Sequence, residues 1–162
     1  HYFNADSLYK RFTPAGPDHA QVAACAGMAD YVDEVHSHHF SAEEAPAVRC
    51  AQVHDLFRTH EIQLTQPILD YLVSKNSVQV IGPANAEDRA PTIAIKLQMS
   101  GEEAAQKLVP FGVMAGGGDF YAVRPLAAMN IAPEHGVLRL SFVHYTGPED
   151  VERLLNALDH IL

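Results

Sequence analysis

The sequence predicts an α/β fold of the two-layer α+β kind, with helices packed on one face of a small sheet and two helices preceding it. Two observations predict this class. Apolar residues recur at helical spacing up to about residue 75. From residue 78 onward, segments with strand-like alternation are interleaved with segments at helical spacing. The 162 residues are 48% hydrophobic, which is typical of a soluble globular chain with its own core.

Residues 1–41 are expected to hold an irregular, turn-rich start and one helix. Asp18 followed by Gln21 has the spacing of an N-terminal capping box, and the helix should run to about His36. Small and apolar side chains are spaced to form one buried stripe that favours close packing on another helix, namely Val22, Cys25, Ala26, Ala29 and Val32.

Residues 42–77 are expected to form a long connecting helix. Ser41 and Glu44 have the spacing of a second capping box, and apolar positions continue at helical spacing to about Lys75. Pro67 should kink or interrupt this helix, because proline removes a backbone donor and crowds the preceding turn.

Residues 78–162 are expected to form a small C-terminal α/β domain. Strand-like segments are predicted over 78–81 and 92–97, with a shorter one near 111–114 before a glycine-rich loop. Helices are predicted over 101–108, where Ser100 and Glu103 have capping spacing, and over 123–129.

The last strand and helix carry the sharpest pattern. Between residues 137 and 143, one face of the strand holds Leu138, Leu140 and Phe142, and the other holds Val137, Arg139, Ser141 and Val143. Thr146 and Glu149 then form a capping box ahead of an amphipathic helix. Arg139 is either a sheet-edge arginine, in solvent or in a surface ion pair, or a guanidinium placed to bind a carboxylate through two hydrogen bonds.

Composition excludes several other classes. The net charge of −9 argues against a nucleic-acid surface, and no apolar run approaches the length of a membrane span. Cys25 and Cys50 lie in helical patterns and are expected in the core, with no disulfide framework, which fits a reducing, cytoplasmic compartment. The spacing of His36, His38 and His39 does not match helical metal-ligand spacing, so we expect a solvated helix end and no metal site.

The C-terminal segment VLRLSFVHYTGPEDVERLLNAL resembles the signature of the class V aminotransferase and cysteine desulfurase superfamily, which are pyridoxal-phosphate (PLP) enzymes of fold type I. Arg139, Ser141, Tyr145 and Thr146 are the matching positions. The resemblance implies that Arg139 holds the carboxylate of an amino-acid substrate. It also implies that residues 78–162 are the small C-terminal domain of such an enzyme.

The same resemblance assigns a role to the glycine-rich segment. It implies that Gly117, Gly118, Asp119, Phe120 and Tyr121 form a loop over the active site. Ala122 stands where desulfurases of one branch carry their nucleophilic cysteine, which weighs against a desulfurase.

The turn at Gly16, Asp18 and His19 matches the one that, in this family, reaches the PLP phosphate of the partner subunit in a homodimer. The family threonine of that turn has no equivalent here, since Gly16 is followed directly by Pro17. The Schiff-base lysine is also absent, because no lysine of this chain lies in the family motif. PLP is therefore expected in the full-length enzyme and not on this segment alone.

We further expect the chain to be a C-terminal segment of a longer protein, since it begins at His1 without an initiator methionine or a secretory leader. In such a segment the Ala-rich face of residues 22–32 would lie exposed, because the large domain that covers it would be absent. The alternative is a stand-alone, non-catalytic α/β module that binds a small carboxylate or a protein partner.

Overall fold

The computed structural model describes residues 6–8 and 16–162, which divide into a first unit ending at Leu56 and a second unit from Phe57 to Leu162. The division falls inside one continuous helix, Pro46–Val73. Within the described part of the chain, no helix combines the length and the apolar character needed to cross a bilayer.

Helix α1, His19–His39, is the main element of the first unit and begins at the predicted cap. The Asp18 carboxylate accepts hydrogen bonds from the backbone N–H groups of Ala20 and Gln21, at 3.0 and 3.1 Å. These two donors would otherwise have no partner in the first turn, so the cap fixes where the helix starts.

Among the residues described, the stripe on α1 is largely exposed, which differs from the burial that its spacing suggests and agrees with the exposure expected of residues 22–32 in a C-terminal segment. Val22 is 62% exposed, and Cys25, Ala26 and Ala29 are exposed with it. Cys25 and Cys50 were expected in the core, and both thiols are free and exposed. Helical spacing identifies a face of a helix, but it does not show that anything covers that face.

The end of α1 differs from the expected solvated turn at one residue. His36 is only 4% exposed, its Nε2 lies 2.7 Å from Oε1 of Gln52, and its ring stacks on Phe40. His38 and His39 are exposed in the last turn, as predicted. No group of three or more potential metal ligands occurs among the residues described.

Helix α2, Pro46–Val73, starts later than its sequence suggests. The carbonyl of Ala45 accepts the N–H groups of Val48 and Arg49, so the helix begins after Ala45 and not at Ser41. Proline is favoured in the first turn because its missing N–H is not needed there. At Pro67 the helix continues without interruption.

The second unit contains one antiparallel sheet of four strands. They are β1 Gln79–Ile81, β2 Thr92–Lys96, β3 Gly116–Gly118 and β4 Val137–Ser141, in the spatial order β1-β2-β4-β3. The short strand predicted at 111–114 is wrong. The 3₁₀ turn Val109–Phe111 occupies that region and ends at Gly112, whose φ of 71° stops an extended run. The strand lies instead in the predicted glycine loop.

Three helices accompany this sheet: α3 Gly101–Leu108, α4 Val123–Ala128 and α5 Pro148–Ile161. Ser100 caps α3 as predicted, accepting the N–H of Glu103 at 3.2 Å. The cap of α5 is shifted by one residue. Asp150 accepts the N–H of Gly147 at 3.0 Å, which lowers the pKa of the Asp150 carboxyl, while the Thr146 hydroxyl accepts the N–H of Val143.

The main core lies on one face of the sheet, as predicted for the principal helices. Ile93 and Ile95 on β2 and Leu138 and Leu140 on β4 are all at most 3% exposed. They pack with buried residues of three helices, including Leu64, Ile68, Leu69 and Leu72 of α2, Ala104 and Leu108 of α3, and Val151, Leu154, Ala157 and Leu158 of α5. These contacts fix the orientation of β4.

A smaller cluster forms on the opposite face. It consists of Leu126 on α4, Ile131 and Val137, each at most 4% exposed. Val137 was expected on the open face beside Arg139. It does lie on that face, but this cluster buries it.

A polar cluster links α2 to α5 within the second unit. The Asp159 carboxylate accepts hydrogen bonds from the Tyr71 hydroxyl at 2.6 Å and from Lys75 Nζ at 3.0 Å. The bond from Tyr71, followed by that from Lys75, lowers the pKa of Asp159. Burial and the Asp159 contact raise the pKa of Tyr71, and the contact with Asp159 raises that of Lys75.

These pKa shifts predict a pH window for the stability of the second unit. The Asp159 carboxylate stabilises the fold at pH values above about 3.9, which is the pKa of an aspartate in the unfolded chain. Tyr71 and Lys75 stabilise it at pH values below about 10, where both are protonated in the unfolded chain as well. Asp159→Asn should therefore lower the melting temperature at pH 6–8, and the difference from wild type should shrink as the pH falls through the lowered pKa of Asp159. Melting curves from pH 2.5 to 8 test this. A difference that does not change with pH would contradict it.

Close packing at a glycine generates a second prediction. A Cβ on Gly117 would lie 2.1 Å from the carbonyl oxygen of Gly101, whereas one on Gly27 in α1 would meet nothing within 4 Å. Gly117→Ala should destabilise the protein by about 1–3 kcal/mol through overpacking against backbone. Gly27→Ala should stabilise α1 by about 0.5–1 kcal/mol. Denaturant unfolding of both variants checks the contrast, and equal effects would contradict it.

Candidate functional site

Arg139 lies in the middle of β4, which is paired on both sides. Its partners in register are Ala94 on β2 and Gly116 on β3. The neighbours Leu138 and Leu140 are buried on the helix-covered face, so the alternation of the strand turns Arg139 to the other face, where it is exposed. The sequence prediction of two faces is confirmed at these three positions.

The Arg139 guanidinium contacts an aromatic ring but forms no hydrogen bond or ion pair with the described residues. Its Cζ lies 4.0 Å from the centroid of the Phe120 ring, which is cation–π contact distance. Four other arginines of the described chain use their donors internally, either on carboxylates (Arg49 and Arg153) or on backbone carbonyls (Arg58 and Arg89), while Arg124 on α4 is exposed and, like Arg139, forms no ion pair with a described residue. Arg139 therefore keeps its donors available for a ligand.

Phe120 reaches Arg139 from a tight turn of unusual geometry. The N–H of Ala122 donates to the carbonyl of Asp119 at 2.8 Å, and the two residues between them, Phe120 and Tyr121, have φ values of 50° and 60°. Positive φ at both central positions is the signature of a type I′ turn, which normally carries Asn or Gly. The turn is therefore strained at two aromatic residues.

Gly116 makes the position of Phe120 possible. A Cβ on Gly116 would lie 2.9 Å from the tip of the Phe120 ring. Gly116 is the cross-strand partner of Arg139, so the ring fills the space that a side chain at residue 116 would occupy beside the arginine.

The five predicted loop residues do not act as one loop. Gly117 and Gly118 belong to β3, and Phe120 contacts Arg139 through its ring. The Asp119 carboxylate accepts the N–H of Tyr121 at 3.0 Å and so stabilises its own turn, while the Tyr121 side chain is fully exposed. Ala122 precedes α4 and packs with Leu126 in the smaller cluster, and the turn contains no thiol.

The residues predicted at a subunit interface lie in the first unit. Gly16 has a φ of 95°, Asp18 caps α1 and His19 is exposed. Their assignment to an interface stays a prediction.

The described residues do not make a complete PLP site. Such a site needs a lysine for covalent attachment and an acid facing the pyridine nitrogen. Lys75 pairs with Asp159, Lys107 pairs with Glu103 at 2.9 Å, and Lys96 ends β2. Lys96, Arg124 and Arg139 form no ion pair with any described residue.

A groove of about 320 Å³ lies farther along β4, but it is separate from this arrangement. Its lining includes Ser141, Thr146 and Arg153, and does not include Arg139. Arg153 is already paired with Asp150 at 2.9 Å. We therefore place the candidate site at Arg139 and Phe120 and not in the groove.

Sequence reasoning missed two supporting residues. The first is Gly116, whose importance depends on its register opposite Arg139. The second is His60, whose Nε2 lies 2.9 Å from the carbonyl oxygen of Thr146 and so holds the turn that follows β4. Gly116 begins the glycine-rich segment, but its role beside Arg139 does not follow from that motif, and the contact of His60 spans 86 positions in the sequence.

The strain in the turn can be tested at Tyr121. Its side chain is fully exposed, so replacing it loses no burial, whereas its φ of 60° favours glycine. Tyr121→Gly should stabilise the second unit by about 0.5–1 kcal/mol. The substitution removes the cost of a left-handed backbone at a residue with a side chain, about 1–2 kcal/mol, but the greater entropy of glycine in the unfolded chain offsets part of that gain. Equilibrium unfolding measures the change, and a loss of stability would contradict the strained turn.

The family model for class V aminotransferases matches residues 16–154, which is most of the chain. The aminotransferase-like protein FGM3 of Gibberella zeae is 26% identical over 167 aligned residues, covering all of this chain and 38% of that protein. The chain thus spans well under half the length of this curated relative.

Solved structures of cysteine desulfurases share the fold. The apo enzyme from Thermococcus onnurineus matches 72% of this chain with a TM-score of 0.60 at 20% identity, over 29% of its own length. CsdA from Escherichia coli matches 64% of this chain with a TM-score of 0.54 at 22% identity, over 24% of its own length. The fold expected from the resemblance is confirmed. With the family model covering residues 16–154, the chain belongs to the class V aminotransferase family.

Proposed function

We propose that this chain is the C-terminal part of a PLP-dependent enzyme that acts on an amino acid, and that Arg139 binds the carboxylate of that substrate. The observation that carries the proposal is an arginine without an ion pair among the described residues, presented on the open face of a doubly paired strand.

The surroundings of Arg139 suit a small anion. Its cross-strand neighbour on β2, Ala94, has a short side chain, and the Phe120 ring occupies the space above its other neighbour, Gly116. A carboxylate matches the planar donors of arginine with two parallel hydrogen bonds. Because β4 is held on both sides and packed below, the arginine backbone needs little ordering when a ligand binds.

Ala122 bears on the reaction. A desulfurase requires a thiolate to attack the substrate sulfur, and the turn at residues 119–122 carries no cysteine. This supports a reaction on the amino acid that does not use a thiol from this turn.

The remaining parts of the proposal concern the whole protein. The cofactor would be held by residues other than those described, and the turn at Gly16, Asp18 and His19 would contribute across a homodimer interface. The N–H groups of Ala20 and Gln21 already bond to the Asp18 carboxylate, so this part of the proposal rests on the resemblance of the turn to that of the family. We place the protein in the cytoplasm, which fits its two free cysteines.

Replacing the arginine tests the proposal in the full-length protein. Arg139→Ala should weaken amino-acid binding about 30-fold or more, the equivalent of about 2 kcal/mol for a charge-assisted pair, and leave PLP affinity within about two-fold. Arg139→Lys should recover only part of the loss, since lysine lacks the planar pair of donors. Titration of the PLP-loaded protein with amino acids, followed by the absorbance of the bound cofactor, gives the amino-acid affinity, and titration of the cofactor-free protein with PLP gives the cofactor affinity.

Arg153→Ala is the matched control. It removes another exposed arginine of the same unit, one that is paired with Asp150 on α5, and should leave both affinities unchanged. Equal losses of amino-acid and PLP affinity in Arg139→Ala, or no loss of either, would reject the carboxylate role. A full-length protein that binds neither would favour the non-catalytic module.

A further inference from the structure

We propose that Phe120 is a positioning residue for Arg139: its ring stacks on the guanidinium and leaves the N–H donors pointing toward the substrate carboxylate. This inference rests on the proposed function. It concerns a residue that does not itself bind the carboxylate, and it gives a reason for the strained turn.

The geometry of the contact supports this role. The Phe120 ring centroid lies 4.0 Å from Cζ of Arg139, so the ring occupies space on one side of the cation. The five donors of a guanidinium lie in its own plane, and a stacked ring leaves them free for hydrogen bonds. A carboxylate partner would instead use up those donors, as Asp33 does for Arg49.

The ring itself is held in place from several sides. The backbone of Phe120 is fixed in the left-handed region by the bond from Ala122 to Asp119. Gly116 makes room for the ring tip, and Phe120 packs against the smaller cluster of Leu126 and Val137. An arginine on an open strand face samples many rotamers, so a fixed ring beside it restricts that freedom before any ligand arrives.

A comparison with Tyr121 supports the view that the strained turn positions the Phe120 side chain. Both residues have positive φ, but the side chain of Tyr121 is fully exposed and makes no packing contact that would offset the cost. The Phe120 side chain does gain contacts from the turn, with Arg139 and with the smaller cluster.

The test measures the chemical reactivity of Arg139 and so needs no knowledge of the natural substrate. Full-length wild type, Phe120→Leu and Phe120→Tyr are treated with phenylglyoxal, and modification of Arg139 is followed by peptide mass spectrometry. Propionate is the carboxylate probe, and propionamide is its neutral counterpart. Phe111→Leu is the matched control, because Phe111 is a partly buried phenylalanine beside His160 on α5.

We expect Phe120→Leu to speed modification of Arg139 about five-fold. The propionate concentration needed for half-protection should rise by a similar factor, which corresponds to the free energy of one cation–π contact. Phe120→Tyr keeps an aromatic face and should stay within two-fold of wild type, as should Phe111→Leu. Propionamide should not protect. An unchanged modification rate in Phe120→Leu, or a failure of Phe120→Tyr to match wild type, would overturn the stacking role.

A double substitution separates positioning from a general structural effect. In the titrations with L-amino acids, Phe120→Leu should weaken binding about five-fold in the wild-type background and have no effect in the Arg139→Ala background. Equal weakening in both backgrounds would show that Phe120 acts independently of Arg139 and would overturn the proposal. If propionate fails to protect wild type while Phe120→Leu still speeds modification, the carboxylate role of Arg139 fails and the stacking contact stands.

Discussion

The candidate site depends on the two faces of β4. Leu138 and Leu140 are buried against the helices, and this burial dictates that Arg139 faces the other way, because a shift of one residue would exchange the two sets of side chains. Moving Arg139 to the helix-covered side would bury a charge and expose two leucines, and both changes would lower the stability of the fold. The same hydrophobic contacts that hold the second unit together therefore keep the arginine at the surface.

Glycine residues determine the position of the edge strand β3. β3 is built only of Gly116, Gly117 and Gly118, and the first two allow approaches that any side chain would block. Gly117 brings the edge strand against the start of α3, and Gly116 admits the Phe120 ring beside Arg139. The strained turn at residues 119–122 comes directly after β3 in the chain. The position of the Phe120 ring is therefore set by the packing of the backbone as well as by the contacts of the ring.

The sequence predicts the parts of this arrangement that local patterns govern. The alternation around Arg139 and the cap at Ser100 follow from neighbouring residues and are confirmed. Tertiary contacts decide the remainder. Val137 is buried by α4 on the face that alternation assigns to solvent, and the apolar stripe of α1 is exposed although its spacing suggests a core. The contact between Phe120 and Arg139 depends on strand register and a left-handed turn, which no periodicity reveals.

The absence of a side chain at residue 116 affects how such a site could diverge among proteins of this fold. The arginine can stay the same while the space beside it changes, since a larger residue at 116 would displace the Phe120 ring. A comparison that follows only charged or nucleophilic residues would overlook that difference. The position that sets the shape of the site carries no functional group at all.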